Sequence, residues 1–493
     1  MQVIQKKPLT EEHRDSSESY PPRSVLCVDL DGTLLKTDMM WECVISLLKV
    51  NPAALLGAPA WLLQGRAGFK RKLAQRAIVD VATLPYQSDL LEFLSSQRQL
   101  GRRIVLVTAA DGSLAQSVAL HLGLFDEVLH SEEGLNLKGK TKAELLQSKF
   151  SKTGFEYIGN SRADLPVWKA ARAGYVVGSK QLARRASAVT AIEGVFEKPT
   201  ASVWTWLRAF RGHHWAKNLL LFLPLLLAHK LRSGPLLTVA AGFLLFSFCA
   251  SSIYILNDLL DLHSDREHPW KRKRPFASGE TSIPMGLLVS ALLVTVTILL
   301  GFWLSVSFGG VLTAYSAATL WYTLQLKRLA LVDVFVLSSF YTLRIWGGSL
   351  VSSVPLSEWF LGFSLFFFLA LAMAKRYSEL THAGSLVESG NSGRAYSQAD
   401  RGLLMHLGIG STFSAVVIFA LYTQSKEVLN LYPRPNLLLL ICPVILYWLS
   451  RLWLKANRGE LDEDPVTLSL GDPVSYLVAA LIIFMLLLSS RPT

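Results

Sequence analysis

Cysteine is scarce in this chain and charge is thin. Four cysteines, Cys27, Cys43, Cys249 and Cys442, are spread over 493 residues with no pair at a metal-binding or redox spacing, which argues against a disulfide framework or a thiolate metal centre. Charged residues make up 17% of the chain against 51% hydrophobic, too lopsided for one water-soluble globule. The opening residues MQVIQKKPLTEEHRDSSESYPPR lack the apolar core of a secretory signal, so the part that follows is expected to stay in the cytosol. A net charge of +12 would suit nucleic acid. Most of that excess lies in short loops beside apolar blocks, so topology and anionic phosphate partners explain it better, and no nucleic-acid partner is expected.

What is present falls into two regimes. Residues 1–22 read as a disordered leader and 23–195 as an α/β domain. Buried strands in SVLCVDLDGT (24–33), RRIVLVTAADGS (102–113) and FEYIGNSRADLP (155–166) alternate with helical stretches such as KAELLQSKF (142–150). That alternation predicts a parallel sheet covered on both faces. Residues 38–97 interrupt it, read as mostly helical, and are expected to cap the end of the first strand. Residues 196–216 read as a linker with an interfacial helix.

From 217 to 493 the chain is a series of apolar blocks, each long enough to cross ~30 Å of hydrocarbon. Nine spans are expected, near 217–231, 236–260, 282–305, 307–325, 329–351, 357–374, 403–424, 434–454 and 471–489, forming an all-α polytopic domain. With the N-terminus inside, the cytosolic loops carry twelve basic residues, from Lys271 through Arg394 to Arg458. The opposite loops carry four, Lys230, Arg232, Lys426 and Arg434. This asymmetry orients the chain as a multi-pass protein of the inner membrane, with the N-terminal domain and every motif below on the cytosolic side.

DLDGT sets Asp29 and Asp31 two residues apart at the carboxyl end of the first strand, where α/β sheets present reactive groups. One aspartate can attack phosphorus while the other donates and withdraws the leaving-group proton. Thr108 ends the second strand, Lys142 opens a helix and Asp164 follows the third strand. They supply a hydroxyl, a cation for phosphate and a carboxylate for Mg2+. Four motifs in this order strongly resemble the haloacid dehalogenase (HAD) superfamily over residues 24–190. KAELL followed by YIGNSRADLPVWKAARAGY resembles its phosphoserine-phosphatase branch, which carries a cap at the matching place. The resemblance implies Asp29 as nucleophile, Asp31 as acid/base, Thr108 and Lys142 as phosphate binders, and one Mg2+ held by Asp29, Asp31 and Asp164. Asn160 departs from the Gly-Asp that often opens the fourth motif. The competing reading is an inactive HAD scaffold.

Asn257, Asp261 and Asp265 follow one another at four-residue steps and share a helix face, with Asp258 beside them. Clustered carboxylates at a bilayer boundary repel each other and are costly to desolvate unless a divalent cation compensates them. Mg2+ suits oxygen ligands and keeps waters and substrate phosphates, so a diphosphate is the natural third party. The basic group at 266–274 can neutralise the remaining phosphate oxygens. A juxtamembrane salt-bridge cluster is the bland alternative.

The pattern NDxxDxxxD resembles the first signature of the UbiA superfamily of membrane prenyltransferases. Aromatic-acceptor members carry a second DxxxD; here Asp333 is followed four residues later by Leu337. SSIYILNDLLDLHSDREHPWKRKRPFASG, LKRLALVDV with Arg344, AKRYSEL and RGHHWAKN resemble the decaprenyl-phosphate phosphoribosyltransferase branch over residues 205–490. That resemblance implies Mg2+-dependent transfer of 5-phosphoribosyl from phosphoribosyl pyrophosphate (PRPP) to a polyprenyl phosphate lipid. Asn257, Asp258 and the catalytic pair Asp261 and Asp265 would hold one or more Mg2+ with diphosphate. Lys217, Arg266, Lys271, Arg274, Lys327, Lys375 and Arg376 would meet phosphates, and Tyr322, Asp333 and Arg344 would line the ribosyl side. The fused HAD domain would then remove the 5-phosphate. The alternatives are prenyl transfer from a polyprenyl diphosphate to an aromatic acceptor, and a membrane-anchored phosphatase. Membrane lipids surround the second domain in every reading, and homo-oligomerisation stays open.

Overall fold

The computed structural model describes residues 24–63, 65–131, 136–198, 201–229, 233–383, 396–461, 465–469 and 471–490. The expected leader at 1–22, and Lys230, Arg232 and Arg394, lie outside the described residues. The chain divides into two compact units, Met1–Thr200 and Ala201–Thr493.

The first unit runs β1 (Val25–Val28), α1 (Met39–Val50), two short helical turns (Pro52–Gly57 and Ala58–Leu62), α2 (Gly65–Ala74) and α3 (Ser88–Gln99). It continues with β2 (Ile104–Asp111), α4 (Gly112–Leu122), β3 (Glu127–Ser131), α5 (Lys140–Lys149), β4 (Phe155–Gly159), β5 (Ala173–Val177) and β6 (Ala191–Phe196). The strands form one parallel sheet in the order β3-β2-β1-β4-β5-β6. The four apolar residues of β1 are buried on both faces, as a central parallel strand requires. Val28 pairs with Leu106 on one side and Ile158 on the other, so Asp29, Thr108 and Asn160 come off the same edge of the sheet.

The residues expected to form the cap enter two cores. Cys43, Leu47 and Leu73 pack with Leu55, Trp61 and Phe69 into a cluster of their own. Leu90 and Leu94 of α3 instead join Leu26, Val28 and Ile104 in the sheet's core. Apolar spacing alone does not say which of two cores a helix enters.

The second unit runs α6 (Val203–Phe210), a tight 3-10 stretch Gly212–Phe222 leading into the short helix Leu223–Leu227, α7 (Ser233–Leu260), α8 (Leu262–Glu267) and α9 (Ile283–Leu304). It continues with α10 (Val306–Leu324), α11 (Val332–Ser352), α12 (Glu358–Ala383), α13 (Arg401–Thr423), α14 (Ile441–Asn457) and α15 (Pro473–Ser489). Among the described residues, six helices are long and apolar enough to cross a membrane, and the protein is a multi-pass membrane protein. Six of the nine expected spans coincide with these helices, and α10 and the first and last expected spans fall outside the six among the described residues. The first is a 3-10 stretch with a five-residue helix, and α15 has only 17 residues.

Gly348 in α11 lets that first segment approach closely. A Cβ there would stand 2.1 Å from the Leu221 carbonyl oxygen, which a backbone atom cannot tolerate.

Candidate active sites

In the first unit the turn after β1 folds back on itself. Gly32 N–H donates to the Thr37 carbonyl at 3.0 Å, and Leu34 N–H donates to the Asp29 carbonyl at 3.2 Å. Gly32 takes φ +74, and a Cβ on it would meet the Asn160 side chain at 2.1 Å. The departing residue of the fourth motif therefore packs directly on the first.

Lys142 Nζ donates to Asp29 Oδ1 at 2.7 Å and to Tyr157 Oη at 3.0 Å. Tyr157 donates in turn to Asp164 Oδ1 at 3.0 Å. Asp164 Oδ2 accepts from Asn160 N–H, Ser161 N–H and Ser161 Oγ. Thr33 Oγ1 donates to Asp29 Oδ2 at 3.3 Å, Met39 N–H donates to Asp31 Oδ1 at 2.9 Å, and Thr108 Oγ1 accepts from Ala110 N–H. Asp29, Lys142 and Asp164 are thus joined through Tyr157, while Asp31 and Thr108 are held by neighbouring backbone N–H groups.

Burial pushes the Asp29 carboxyl up against the pull of Lys142. Burial, with Asp38 and Asp29 close by, pushes Asp31 up to about 7. A carboxyl that keeps its proton near neutrality suits a general acid. Asp29, Asp31, Asp164 and the Asn160 amide oxygen are hard oxygen donors, the kind Mg2+ takes. Asp164 has both oxygens engaged in four hydrogen bonds, so its carboxylate already orders the 157–161 turn.

Tyr157 was not anticipated. Its place inside FEYIG, pointing inward two residues before Gly159, was the available signal. Beside this site lies a cavity of about 520 Å³ lined by Lys70 and Arg71 of α2, Gln75 just past its end, Ser113 and Gln116 of α4, and His130. Lys70 Nζ donates to the Ala109 carbonyl at 2.9 Å, one residue past Thr108.

In the membrane unit the acidic helix end is not an uncompensated cluster. Asp258 is buried and accepts from Arg211 and, at 3.2 Å, from Arg274. Asp265 accepts from the same Arg274 nitrogen at 2.6 Å. Both oxygens of Asp261 lie 3.3 Å from Lys327 Nζ. Asn257 Oδ1 accepts from Thr323 Oγ1 at 2.8 Å. Cations from three separate elements neutralise the carboxylates, which is the arrangement of the salt-bridge alternative. Their oxygens are of the right chemistry for Mg2+, and Asn257 and Asp261 share the face reached by α10 and the 326–328 turn.

A cavity of about 250 Å³ lies beside Asn257. It is lined by Arg211, Lys217, Arg344 and Lys375, by His214, by Tyr254, Tyr315, Tyr322 and Tyr341, and by apolar groups including Leu337; among the described residues no carboxylate lines it. Arg344 donates to Asn218 Oδ1 at 2.8 Å, to the Phe340 carbonyl at 2.7 Å and to Tyr315 Oη at 3.1 Å. It also lies over the Phe246, Tyr315 and Tyr341 rings. Lys217 Nζ lies 5.8 Å from the Tyr341 ring centre.

Of the expected residues, Lys217, Asn257, Tyr322, Arg344 and Lys375 line this cavity, and the others do not. Asp333 and Arg376 form a closed buried pair at 2.6 Å. Arg376 also holds Tyr322 Oη at 3.0 Å and Glu379 at 2.7 Å, while Tyr396 donates to the other Asp333 oxygen. Their charges cancel behind Tyr322, which corrects the expectation that Asp333 faces ribose and Arg376 a phosphate. Arg266 donates to the Ala277 carbonyl at 3.2 Å, and Lys271 is exposed on the 271–273 turn.

Arg211, His214, Tyr254, Tyr315 and Tyr341 were missed. Arg211 and His214 stood in the quoted RGHHWAKN. Tyr315, Thr319 and Tyr322 recur at helical spacing on α10, a polar stripe in an apolar span.

A model of the UbiA prenyltransferase family matches residues 218–386, and one of the haloacid dehalogenase-like hydrolases matches residues 26–169. The uncharacterised protein y4nM of Sinorhizobium fredii is 37% identical over 462 residues, covering 93% of this chain and 89% of that protein. Nodulation protein NoeC of Azorhizobium caulinodans is 34% identical over 281 residues, covering 55% of this chain and 89% of that protein. Decaprenyl-phosphate phosphoribosyltransferase of Mycolicibacterium smegmatis is 35% identical over 181 residues, 35% of this chain and 56% of that enzyme's length. By these matches the chain belongs to the UbiA prenyltransferase family through its membrane unit and to the haloacid dehalogenase-like hydrolases through its first unit.

Proposed function

We propose that the membrane unit transfers the 5-phosphoribosyl group of PRPP to a polyprenyl phosphate, and that the first unit removes the 5-phosphate from the product. The observation that carries this reading is the cavity lining: four cations and four tyrosines gathered around one small cavity. Such a lining suits a ligand with phosphates at both ends of a hydroxylated ring. The match to decaprenyl-phosphate phosphoribosyltransferase supports it. Leu337 in the cavity wall counts against a second diphosphate motif there.

Lys217 and Lys375 hold donor phosphates, and Arg344, fixed by its three hydrogen bonds, presents a rigid charge to them. The tyrosine hydroxyls orient the ribose. Asn257 and Asp261, with Asp258 and Asp265 behind them, would hold Mg2+, which supplies charge to a departing diphosphate. The C1–O bond to diphosphate breaks and a lipid phosphate oxygen bonds to C1; no protein nucleophile is needed, only position and charge.

In the first unit Asp29 attacks the phosphorus of the 5-phosphate while Asp31 gives its proton to the departing sugar oxygen and later takes one from water. Lys142 and Thr108 hold phosphate oxygens. Asp29, Asp31 and Asn160 would hold Mg2+ there, with Asp164 ordering the turn. The loop charges support an inner-membrane setting with both sites on the cytosolic side.

Membranes given radiolabelled PRPP and a polyprenyl phosphate test this. Mg2+-dependent labelled lipid is expected, lost in Asp261→Ala and accumulating as the phosphorylated form in Asp29→Asn. Absence of labelled lipid in the parent defeats the transferase step. An identical dephosphorylated product from Asp29→Asn defeats the phosphatase step.

A further inference from the structure

Between Glu42 and Asp80 the cap has six basic residues, Lys49, Arg66, Lys70, Arg71, Lys72 and Arg76, and no acid. Within that stretch residues 50–63, VNPAALLGAPAWLL, carry no charge at all. The segment is pinned from inside. Ala54, Leu55 and Trp61 pack on Cys43, Leu47 and Leu73, and Arg76 lies over the Trp61 ring at 5.0 Å. With those side chains turned inward, Leu56 and Leu63 point outward, 84% and 90% exposed, and Val50, Leu62 and Ile78 are exposed with them. A domain that leaves large apolar side chains in water beside a predominantly basic stretch has the pattern of a bilayer-contacting surface.

From this geometry we infer that the cap of the first unit docks on an anionic lipid bilayer through residues 50–63. Leucines enter the acyl boundary, and Lys49, Lys72 and Arg76 meet lipid phosphates. Charge complementarity favours lipid over a second copy of the cap, whose matching face would bring the same positive charges together. The chain that carries this cap also carries membrane spans, with residues 197–202 between the end of β6 and the start of α6. In sequence the docked segment is followed by α2, whose Lys70 and Arg71 line the cavity beside Thr108. A phosphate ester attached to a lipid would therefore meet the phosphatase site at the membrane surface.

The inference stands on the cap's surface and does not require that the first unit act on a lipid. Full-length protein, with Cys442 changed to serine, is reconstituted in vesicles of phosphatidylglycerol and phosphatidylcholine. A nitroxide is placed at Leu63→Cys, with Leu120→Cys on α4, 83% exposed, as the control. Power saturation against oxygen and a water-soluble nickel complex reads the depth of each label. The label at 63 is expected to lose nickel accessibility several-fold relative to 120, less so in pure phosphatidylcholine. Equal nickel accessibility at both sites overturns the proposal, and so does spin–spin broadening between labels at 63, which would seat a second copy there.

A second arm uses Leu56→Asp with Leu63→Asp. Dephosphorylation of a lipid-linked phosphoribose is expected to fall at least about tenfold while hydrolysis of ribose 5-phosphate is unchanged. Parent protein that hydrolyses neither substrate defeats the phosphatase reading alone, and the depth measurement still decides the docking.

Discussion

Replacing Arg376 with methionine takes the cation away from Asp333, a carboxylate with no exposed surface. At 2.6 Å and an effective dielectric of ~20 the gross attraction is about 6 kcal/mol. Removing one partner of such a buried pair costs about 3–5 kcal/mol, because the other charge remains without its counter-ion. The double variant Arg376→Met/Asp333→Leu removes both charges and fills the space with apolar volume. It should recover more than half of the loss, the remainder reflecting Tyr322 and Tyr396, each short of a hydrogen bond worth about 1 kcal/mol. The assay is the fraction of detergent-solubilised protein that stays folded after stepped heating, read by size-exclusion chromatography. A single variant as heat-stable as the parent, or a double variant worse than the single, refutes the closed-pair description. Unchanged stability with a raised KM for PRPP would return Arg376 to the substrate.

Gly348→Ala should push the Leu221 carbonyl away and cost about 1–3 kcal/mol as overpacking, with a loss of transferase activity because Lys217 and Asn218 ride on the same segment; melting and activity measured together check it. Asp472 caps α15 and accepts from Arg451 and Lys455, and chiefly the Arg451 hydrogen bond holds its carboxyl well below the usual range. Its depressed folded pKa contributes stability above the ordinary carboxylate range, so Asp472→Asn should melt earlier at neutral pH, with the gap closing only in acid. A gap that persists unchanged into acid would contradict this. Cys43, its thiol pushed up to about 12 mainly by burial, and Cys27, pushed further up by the same cause, should resist maleimide in folded protein and react on denaturation, as intact-mass measurement would register.

The local rules carried the sequence reading far. Alternating buried strands made the parallel sheet legible, and the positions of Asp29, Thr108, Lys142 and Asp164 at strand ends and a helix start were enough to bring them to one edge. Where a choice depended on which of two partners a side chain would meet, the sequence was silent. Arg274 lies in a run of basic residues suited to phosphate, yet it bridges Asp258 and Asp265. Arg376 lies 43 residues from Asp333, and nothing in either segment marks them as a pair.

The sequence by itself determined the two-part architecture, the family of each part and the chemical types at each site, because hydrophobic period, strand-end motifs and residue spacing are properties of neighbouring residues. Only the tertiary structure decided which charges face the cavity. Pairing across elements depends on distances between segments far apart in the chain, and at a buried site a few ångströms determine whether an aspartate faces a ligand, a cation or a tyrosine. That is why Lys217, Arg344 and Lys375 line the cavity while Asp333 and Arg376 close on each other behind it.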